Sequence, residues 1–327
     1  MKIVAGLGSI DDYIRLAKAG ADEVFCGFVP YEWNNKYGTL FPLNRREVLY
    51  YNVHIGSFED MKILKKMVDK YKVPVTITLN YLYYLEEQYE EIYLLIKKLM
   101  EIGFNEFIVA DIALLVYLNG KDINPIIHLS GECCELNSLS IDFLNRFNLS
   151  RYIFHRKNTI EDIESCIKNH QKENLQYEAF ILNERCHYTG GFCSSLHCDE
   201  LVHLCQIPYE LTKIDNDSNG YKSVEQRIEK YNNMLEEMYE EEQEIYSEGE
   251  CYMLGSTGCG ICFLKSLKEA GVTHLKVVGR GNSIDNMEKD VKNLKKALEL
   301  IDVNTEQYKE VLKKKLFKGE CSGECYY

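Results

Sequence analysis

The sequence predicts an α/β protein of the (β/α)8 TIM-type barrel class. Three observations lead there. Short apolar, strand-like runs alternate with helical patterns along most of the chain. Eight such runs are present, most of them separated by one helical pattern. At 327 residues the chain also has the length for a barrel, which needs about 250 residues or more. Alternation of this kind implies parallel strands joined by right-handed crossovers. A doubly wound open sheet is the competing arrangement.

In chain order, Lys2–Gly6 reads as the first strand and Ile10–Ala19 as a helix, stopped by Gly20 as glycine stops helices at their C-termini. Glu23–Gly27 is the second strand. A long aromatic loop follows, holding the single Trp, Trp33; loops of this length inside compact domains are commonly functional. Then come a helix over Phe58–Tyr71, a strand over Val75–Asn80, a helix around Tyr89–Ile102, a strand over Glu106–Ala110 and a helix over Ile112–Leu118. A strand over Ile126–Ser130, a helix over Ser138–Phe147, a strand over Tyr152–His155, a helix over Ile160–Asn169 and a strand over Tyr177–Leu182 continue the alternation. A helix around Ile261–Ala270 and the strand His274–Val278 complete the eight. Helical patterns near Ile284–Leu300 and Thr305–Leu316 close the exterior.

The expected organisation is one barrel domain over 1–327, with an acidic helical insertion over 215–250 and a C-terminal helix and cysteine-containing tail over 301–327. In the insertion, Val224, Ile228, Tyr231, Leu235, Met238 and Ile245 follow helical spacing, with Glu242 breaking the stripe. Such a helix packs on its own barrel or, over 221–248, meets a protein partner or a second copy.

The net charge of −13 argues against broad adhesion to nucleic acid, which needs a basic footprint. No stretch approaches the ~20 apolar residues of a membrane span, and the N-terminus turns acidic too early for a signal peptide. A cytoplasmic location is therefore expected. There thiols stay reduced, and thirteen cysteines point to ligation more than to disulfides.

Cys186, Cys193, Cys198 and Cys205 crowd one loop directly after a predicted strand, with His187, His197 and His203 between them. Inert packing as small hydrophobes is the plain alternative, but glycine and histidine interleaved at this density point to a metal or cluster site. The loop spacing, C-x6-C-x4-C-x6-C, is wider than the tight pairs of structural zinc sites. The chain does hold two tight pairs, Cys259–Cys262 (C-x2-C) and Cys321–Cys325 (C-x3-C). Zinc and an iron–sulfur cluster both remain open on spacing alone. The tail KGECSGECYY is expected to fold back over the rim, bringing Cys321 or Cys325 toward the metal site.

In a barrel, residues just past each strand share one rim, where chemistry collects. Here they are Gly6, Cys26, Asn80, Asp111, Glu132, His155, Arg156, the cysteine loop and Arg280. Asp111, His155, Arg156 and Arg280 are the candidate catalytic residues, the arginines being suited to bidentate contact with a carboxylate.

Several segments resemble the collagenase-like peptidases, peptidase family U32. AKAGADEVFCGF is similar to that family's first βαβ unit. VTITLN, FIVADIAL and IIHLSGECCELN occupy the places of its next recurrent segments. EAFILNERCHYTGGFC is similar to its signature, where Glu-x-Phe precedes two cysteines seven positions apart, and EAGVTHLKVVGR to its closing strand. Asn183, Glu184 and Arg185 stand where the family usually has a glycine–small–aliphatic step.

The resemblance implies a barrel, a [4Fe–4S] cluster and oxygen-independent hydroxylation, or a related modification, of a small-molecule, peptide or RNA substrate. RNA is less expected in so acidic a chain. By position the cluster ligands are Cys186, Cys193, Cys205 and Cys259, with Cys198 and Cys262 as alternates. A metal-dependent peptidase is the second expectation, although neither H-E-x-x-H nor G-x-S-x-G occurs. A non-catalytic scaffold bearing a structural cluster is the third.

Overall fold

The computed structural model describes residues 1–38, 40–46, 53–170, 175–186, 228–229, 231–233, 252–301, 308–317 and 321–327. The chain divides into two compact units, one made of Met1–Leu201 with Leu254–Tyr327 and the other of Val202–Met253. In the second unit 228–229 and 231–233 are helical; the rest of the predicted insertion stripe lies outside the described residues.

The first unit is a closed barrel of eight parallel strands. In chain order the sheet's strands, the eight of the barrel and one short edge strand, β3, are β1 (Lys2–Leu7), β2 (Glu23–Phe28), β3 (His54–Ile55), β4 (Val75–Leu79), β5 (Glu106–Val109), β6 (Ile126–Leu129), β7 (Arg151–Ile153), β8 (Gln176–Leu182) and β9 (His274–Val277). The sheet runs β1-β9-β8-β7-β6-β5-β4-β2, and pairing of β1 with β2 closes it. The register at the seam is Val4↔Glu23 on one side and Lys2↔His274 on the other. The two-residue β3 adds to the edge of β2, with Gly27 opposite His54.

The helices are α1 (Tyr13–Ala19), α2 (Tyr31–Tyr37), α3 (Phe58–Tyr71), α4 (Glu86–Ile102), α5 (Ile112–Leu118), α6 (Ser138–Leu144), α7 (Ile160–Asn169), α8 (Leu264–Ala270), α9 (Ile284–Ile301) and α10 (Tyr308–Leu316). Their boundaries follow local chemistry. Ser57 caps α3 through Asp60 N, and Thr159 and Asp162 form a reciprocal capping box on α7. Gly20 and Gly103, both left-handed, end α1 and α4. α2, missed by the sequence reading, lies in the long aromatic loop and buries Trp33 and Tyr37.

The barrel interior is layered. One layer is apolar and made of Val4, Phe25, Ile108, Ile153, Phe180 and Val278, with Tyr326 packed against it. Another is ionic. Arg151 donates to Glu178 at 2.9 Å and to Glu23 at 2.7 Å. Lys276 donates to Glu178 at 2.8 Å, and the His274 ring lies 3.1 Å from Glu23. These charges survive burial because each is paired. Burial alone would raise the Glu178 carboxyl, but Lys276 and Arg151 hold it down at about 2.

Candidate active site

The C-terminal ends of the strands open into a cavity. Its floor is the apolar layer, and its walls carry Arg45, Arg46, Glu132, Arg156, Glu184, Lys276 and Arg280. The segment 40–46 is held across the mouth by backbone anchors. Leu43 O accepts from Tyr84 Oη at 2.7 Å, and Arg45 N donates to Asn80 Oδ1 at 3.1 Å. Arg46 is thereby placed to pair with Glu184 on the opposite wall.

Glu132 is the hub. Its carboxylate accepts from Arg156 Nη1 at 2.7 Å, and Arg45 Nε stands 3.7 Å away. Burial would raise this carboxyl, but Arg156 and Arg45 outweigh that and lower it to about 2. The Arg156 guanidinium lies over the Phe180 ring at 4.0 Å. Arg280 reaches across to Thr78, Nη1 donating to Oγ1 at 3.2 Å. A side chain at Gly27 would sit 2.6 Å from that guanidinium, so glycine there leaves the arginine its space. Lys276 lies over the Phe25 ring at 3.8 Å, its ammonium lowered by burial against the opposing pull of Glu178. Among the described lining residues five side chains are cationic (Arg45, Arg46, Arg156, Arg280, Lys276) and two anionic (Glu132, Glu184). In a chain of net charge −13 this is a local inversion of sign, and a cavity so lined attracts and orients anions.

Of the predicted catalytic residues, Arg156 and Arg280 line the cavity together. His155 is buried next to Arg156 and is not among the lining residues. Its Nδ1 accepts from Lys157 N at 3.1 Å, and Nε2 has no hydrogen-bond partner among the described residues. Burial lowers its pKa to about 4, so the ring is neutral at pH 7. Asp111 caps α5, accepting from Ala113 N at 2.8 Å, Tyr84 N at 3.2 Å and Tyr89 Oη at 2.9 Å; it is not among the lining residues. Sequence reasoning missed Arg45, Arg46, Glu184 and Lys276. The one signal available was an Arg-Arg pair in a long aromatic loop of an acidic chain.

Two of the described cysteines, Cys186 and Cys259, belong to the segments that meet past the end of β8. Past β8, Asn183 and Glu184 both take positive φ, 69° and 53°, a conformation that costs about 1–3 kcal/mol for non-glycine residues. Asn183 is held there by donating to Val278 O at 3.1 Å and Asp290 Oδ2 at 2.8 Å. The turn leads to Cys186, a half-buried free cysteine near Arg156. The strand end pairs antiparallel with the 257–260 segment, Leu182 opposite Cys259. Asn183 N donates to Gly258 O at 2.9 Å and Gly260 N to Ile181 O at 2.8 Å.

The tail then lies on the other edge of this segment, as the sequence led us to expect. Cys259 N donates to Glu324 O at 2.7 Å, and Tyr326 N to Cys259 O at 2.9 Å. Tyr326 Oη donates to Asn183 O, and Tyr327 Oη to Phe180 O at 2.9 Å. Cys193, Cys198 and Cys205 lie outside the described residues. Among the described residues no three Cys, His, Asp or Glu side chains already stand at the spacing of a metal ion's ligands.

Fold and site together define a (β/α)8 barrel protein with an anion-attracting mouth and cysteines on its rim. The chain belongs to peptidase family U32, whose sequence profile matches residues 8–323. No curated protein matches the sequence. Similar solved structures include a U32 peptidase, 8% identical with a TM-score of 0.41 and covering 55% of this chain and 68% of that one. A thiamine phosphate pyrophosphorylase from Pyrococcus furiosus is 9% identical, TM-score 0.42, covering 91% and 95%. A putative dihydrodipicolinate synthetase from Pseudomonas aeruginosa is 8% identical, TM-score 0.44, covering 97% and 81%. Among the described residues no helix is long and apolar enough to cross a membrane.

Proposed function

We propose that this protein is an iron–sulfur enzyme that carries out an oxygen-independent hydroxylation, or a related modification, of a carboxylate-bearing small molecule or peptide in the barrel mouth. The observation that supports this is the turn past β8, which carries Cys186 near Arg156, a wall residue of the cationic cavity, while Leu182 at the end of the same strand pairs with Cys259. Soft thiolates suit iron–sulfur clusters and zinc alike. Burial pushes the Cys259 thiol up to about 12, so a thiolate at that position calls for a bound cation, as metal-ligating thiols do.

A [4Fe–4S] cluster would be held by Cys186 and Cys259, with Cys193 and Cys205 completing the set and Cys198 or Cys262 as alternates. Bound there, it supplies electron-transfer chemistry next to the substrate; zinc at the same thiolates is the alternative. The protein's own side chains then divide the work. Arg280 and Arg156 orient a carboxylate, and Glu132 fixes Arg156. The Phe25 and Phe180 rings form a dry floor that strengthens those ionic contacts. His155 stays neutral beside the Glu132–Arg156 pair.

The test is an iron and acid-labile sulfide assay on anaerobically purified protein. About four of each per chain is the expected result for this cluster type. Their absence after anaerobic reconstitution overturns the proposal. Zinc in their place, with release of amino termini from a peptide substrate, would establish a metal-dependent peptidase.

A further inference from the structure

We infer that the tail segment 321–327 is a strap that holds the barrel mouth closed through the Asn183–Glu184 turn, and that a ligand enters when the strap is released. This rests on the reading above that a carboxylate binds in the mouth. The cavity there measures about 50 Å³, room for a few waters, whereas small-molecule sites commonly reach ~300 Å³ or more. Across it, Glu184 on one wall is paired with Arg46 on the other. The ion pair is a latch, so whatever fixes Glu184 decides whether the mouth is shut.

Glu184 does not take its place by local preference. It follows Asn183 as the second of two left-handed residues, and strained backbone persists only where its surroundings over-determine it. Two segments do so here. From one side, Glu184 N donates to Thr257 Oγ1 at 3.1 Å and Arg185 N to Thr257 O at 2.6 Å. From the other, the tail reaches in, with Tyr326 Oη donating to Asn183 O and Glu324 pairing with Arg185 at 3.1 Å. The Tyr326 ring packs on the apolar layer, and Phe25, Ile108, Ile153, Phe180 and Val278 of that layer also line the cavity. Tail ring and ligand therefore share one floor.

The strap is lightly held. Its backbone meets the 257–260 segment at one parallel bridge, Cys259 with Cys325, made by Cys259 N donating to Glu324 O and Tyr326 N to Cys259 O. Cys321 and Cys325 are exposed, and the Arg185–Glu324 pair is exposed enough to add little. Segments with so few buried contacts open at the low end of a protein's stability range. Release takes the phenol from Asn183 O and the carboxylate from Arg185, relaxes the turn, draws Glu184 away from Arg46 and uncovers the floor beneath Tyr326. While the strap is closed, apparent affinity for a ligand falls in proportion to the fraction of molecules that are open.

The test is succinate binding, by calorimetry, to the full chain as wild type, Tyr326→Ala, Glu184→Gln and the double variant, with circular dichroism confirming that each is folded. Unstrapping and unlatching open the same gate. Each single variant should therefore bind about tenfold more tightly than wild type, and the double variant no more tightly than the better single. Tyr326→Phe keeps the ring and removes only the hydroxyl, which covers the case of an alanine variant that does not fold. It should speed hydrogen exchange at the Glu184 and Arg185 amides at least tenfold. Wild-type affinity in Tyr326→Ala, gains that multiply in the double variant, or unchanged exchange in Tyr326→Phe each overturns the strap and leaves the carboxylate reading standing. Succinate bound by none of the four proteins overturns that reading and the strap with it.

Discussion

Arg156 and Glu132 form a buried ion pair in the wall of the barrel mouth, with Nη1 2.7 Å from Oε1 and both side chains at most a tenth exposed. The pair ties the end of β7 to the loop after β6, and Arg45 adds a second guanidinium to the same carboxylate. Glu132→Gln removes the carboxylate that faces both guanidiniums. Leaving buried charge uncompensated costs about 3–5 kcal/mol, so the urea midpoint of the variant should fall sharply with an unchanged slope. A midpoint within error of wild type would mean the pair is dispensable.

Arg280→Lys keeps the charge and loses the planar fork. With succinate as probe, the wild type should show a ligand-dependent rise in Tm. The variant should bind about tenfold more weakly, ~1.4 kcal/mol, with iron content unchanged. Equal affinity in the two proteins would remove Arg280 from anion recognition.

Acid stability follows from groups held away from their ordinary ionisation. Burial lowers His155 and His54 to about 4 and His128 to about 3, from 6.5. Each binds its proton less readily folded than unfolded, so its contribution is complete above pH 6.5 and is lost as pH falls toward those values. Glu132 and Glu178, lowered from 4.5 to about 2, act in the same direction over the next interval. The urea midpoint should therefore begin to drop between pH 6.5 and 5, before the carboxylates titrate. A flat profile from pH 7 to 5 would contradict the buried neutral imidazoles.

Cys186→Ser should lose the iron, whereas Cys166→Ser should not. Cys166 is buried in α7 with Sγ 3.6 Å from Leu136 O, which is ordinary packing. Iron retained by Cys186→Ser would place the centre elsewhere.

Gly258 has φ 153°, and a Cβ there would lie 2.9 Å from both Arg185 N and Tyr326 Oη. Gly258→Ala should cost about 1–3 kcal/mol and loosen the tail. Faster hydrogen exchange at the Cys259 amide, which donates to Glu324 O, would report that loosening directly; unchanged protection would show that the tail adapts.

The strands were legible because runs such as EVFCGF and VTITL carry the β-branched and aromatic residues that barrels bury on both faces. Helices with explicit caps, α3 and α7, were placed residue for residue. The interior ionic layer was not legible. Glu23, Arg151, Glu178 and His274 sit inside strands where polar residues read as solvent-facing, and only closure of the sheet turns them toward one another. Arg45 and Arg46 were hidden for a related reason. Their place depends on Leu43 being held by Tyr84, a contact between residues 41 positions apart. Asp111 shows the reverse case, since a residue just past a strand is also where a following helix finds its cap. At Asn183 and Glu184, which replace the family's glycine step, the departure in sequence became a pair of left-handed residues.

Closure of the sheet also sets the order in which the protein can be made. β1 finds its second neighbour only in β9, Lys2 pairing with His274, so the ring joins residues at opposite ends of its own sequence. Contacts of such separation form late. Until they form, β1 and β8 are open edges of an otherwise complete parallel sheet, the kind of template that recruits other chains. Polypeptides that stop short of His274 are thus expected to aggregate, and folding yield should depend on how quickly the last strand reaches the first.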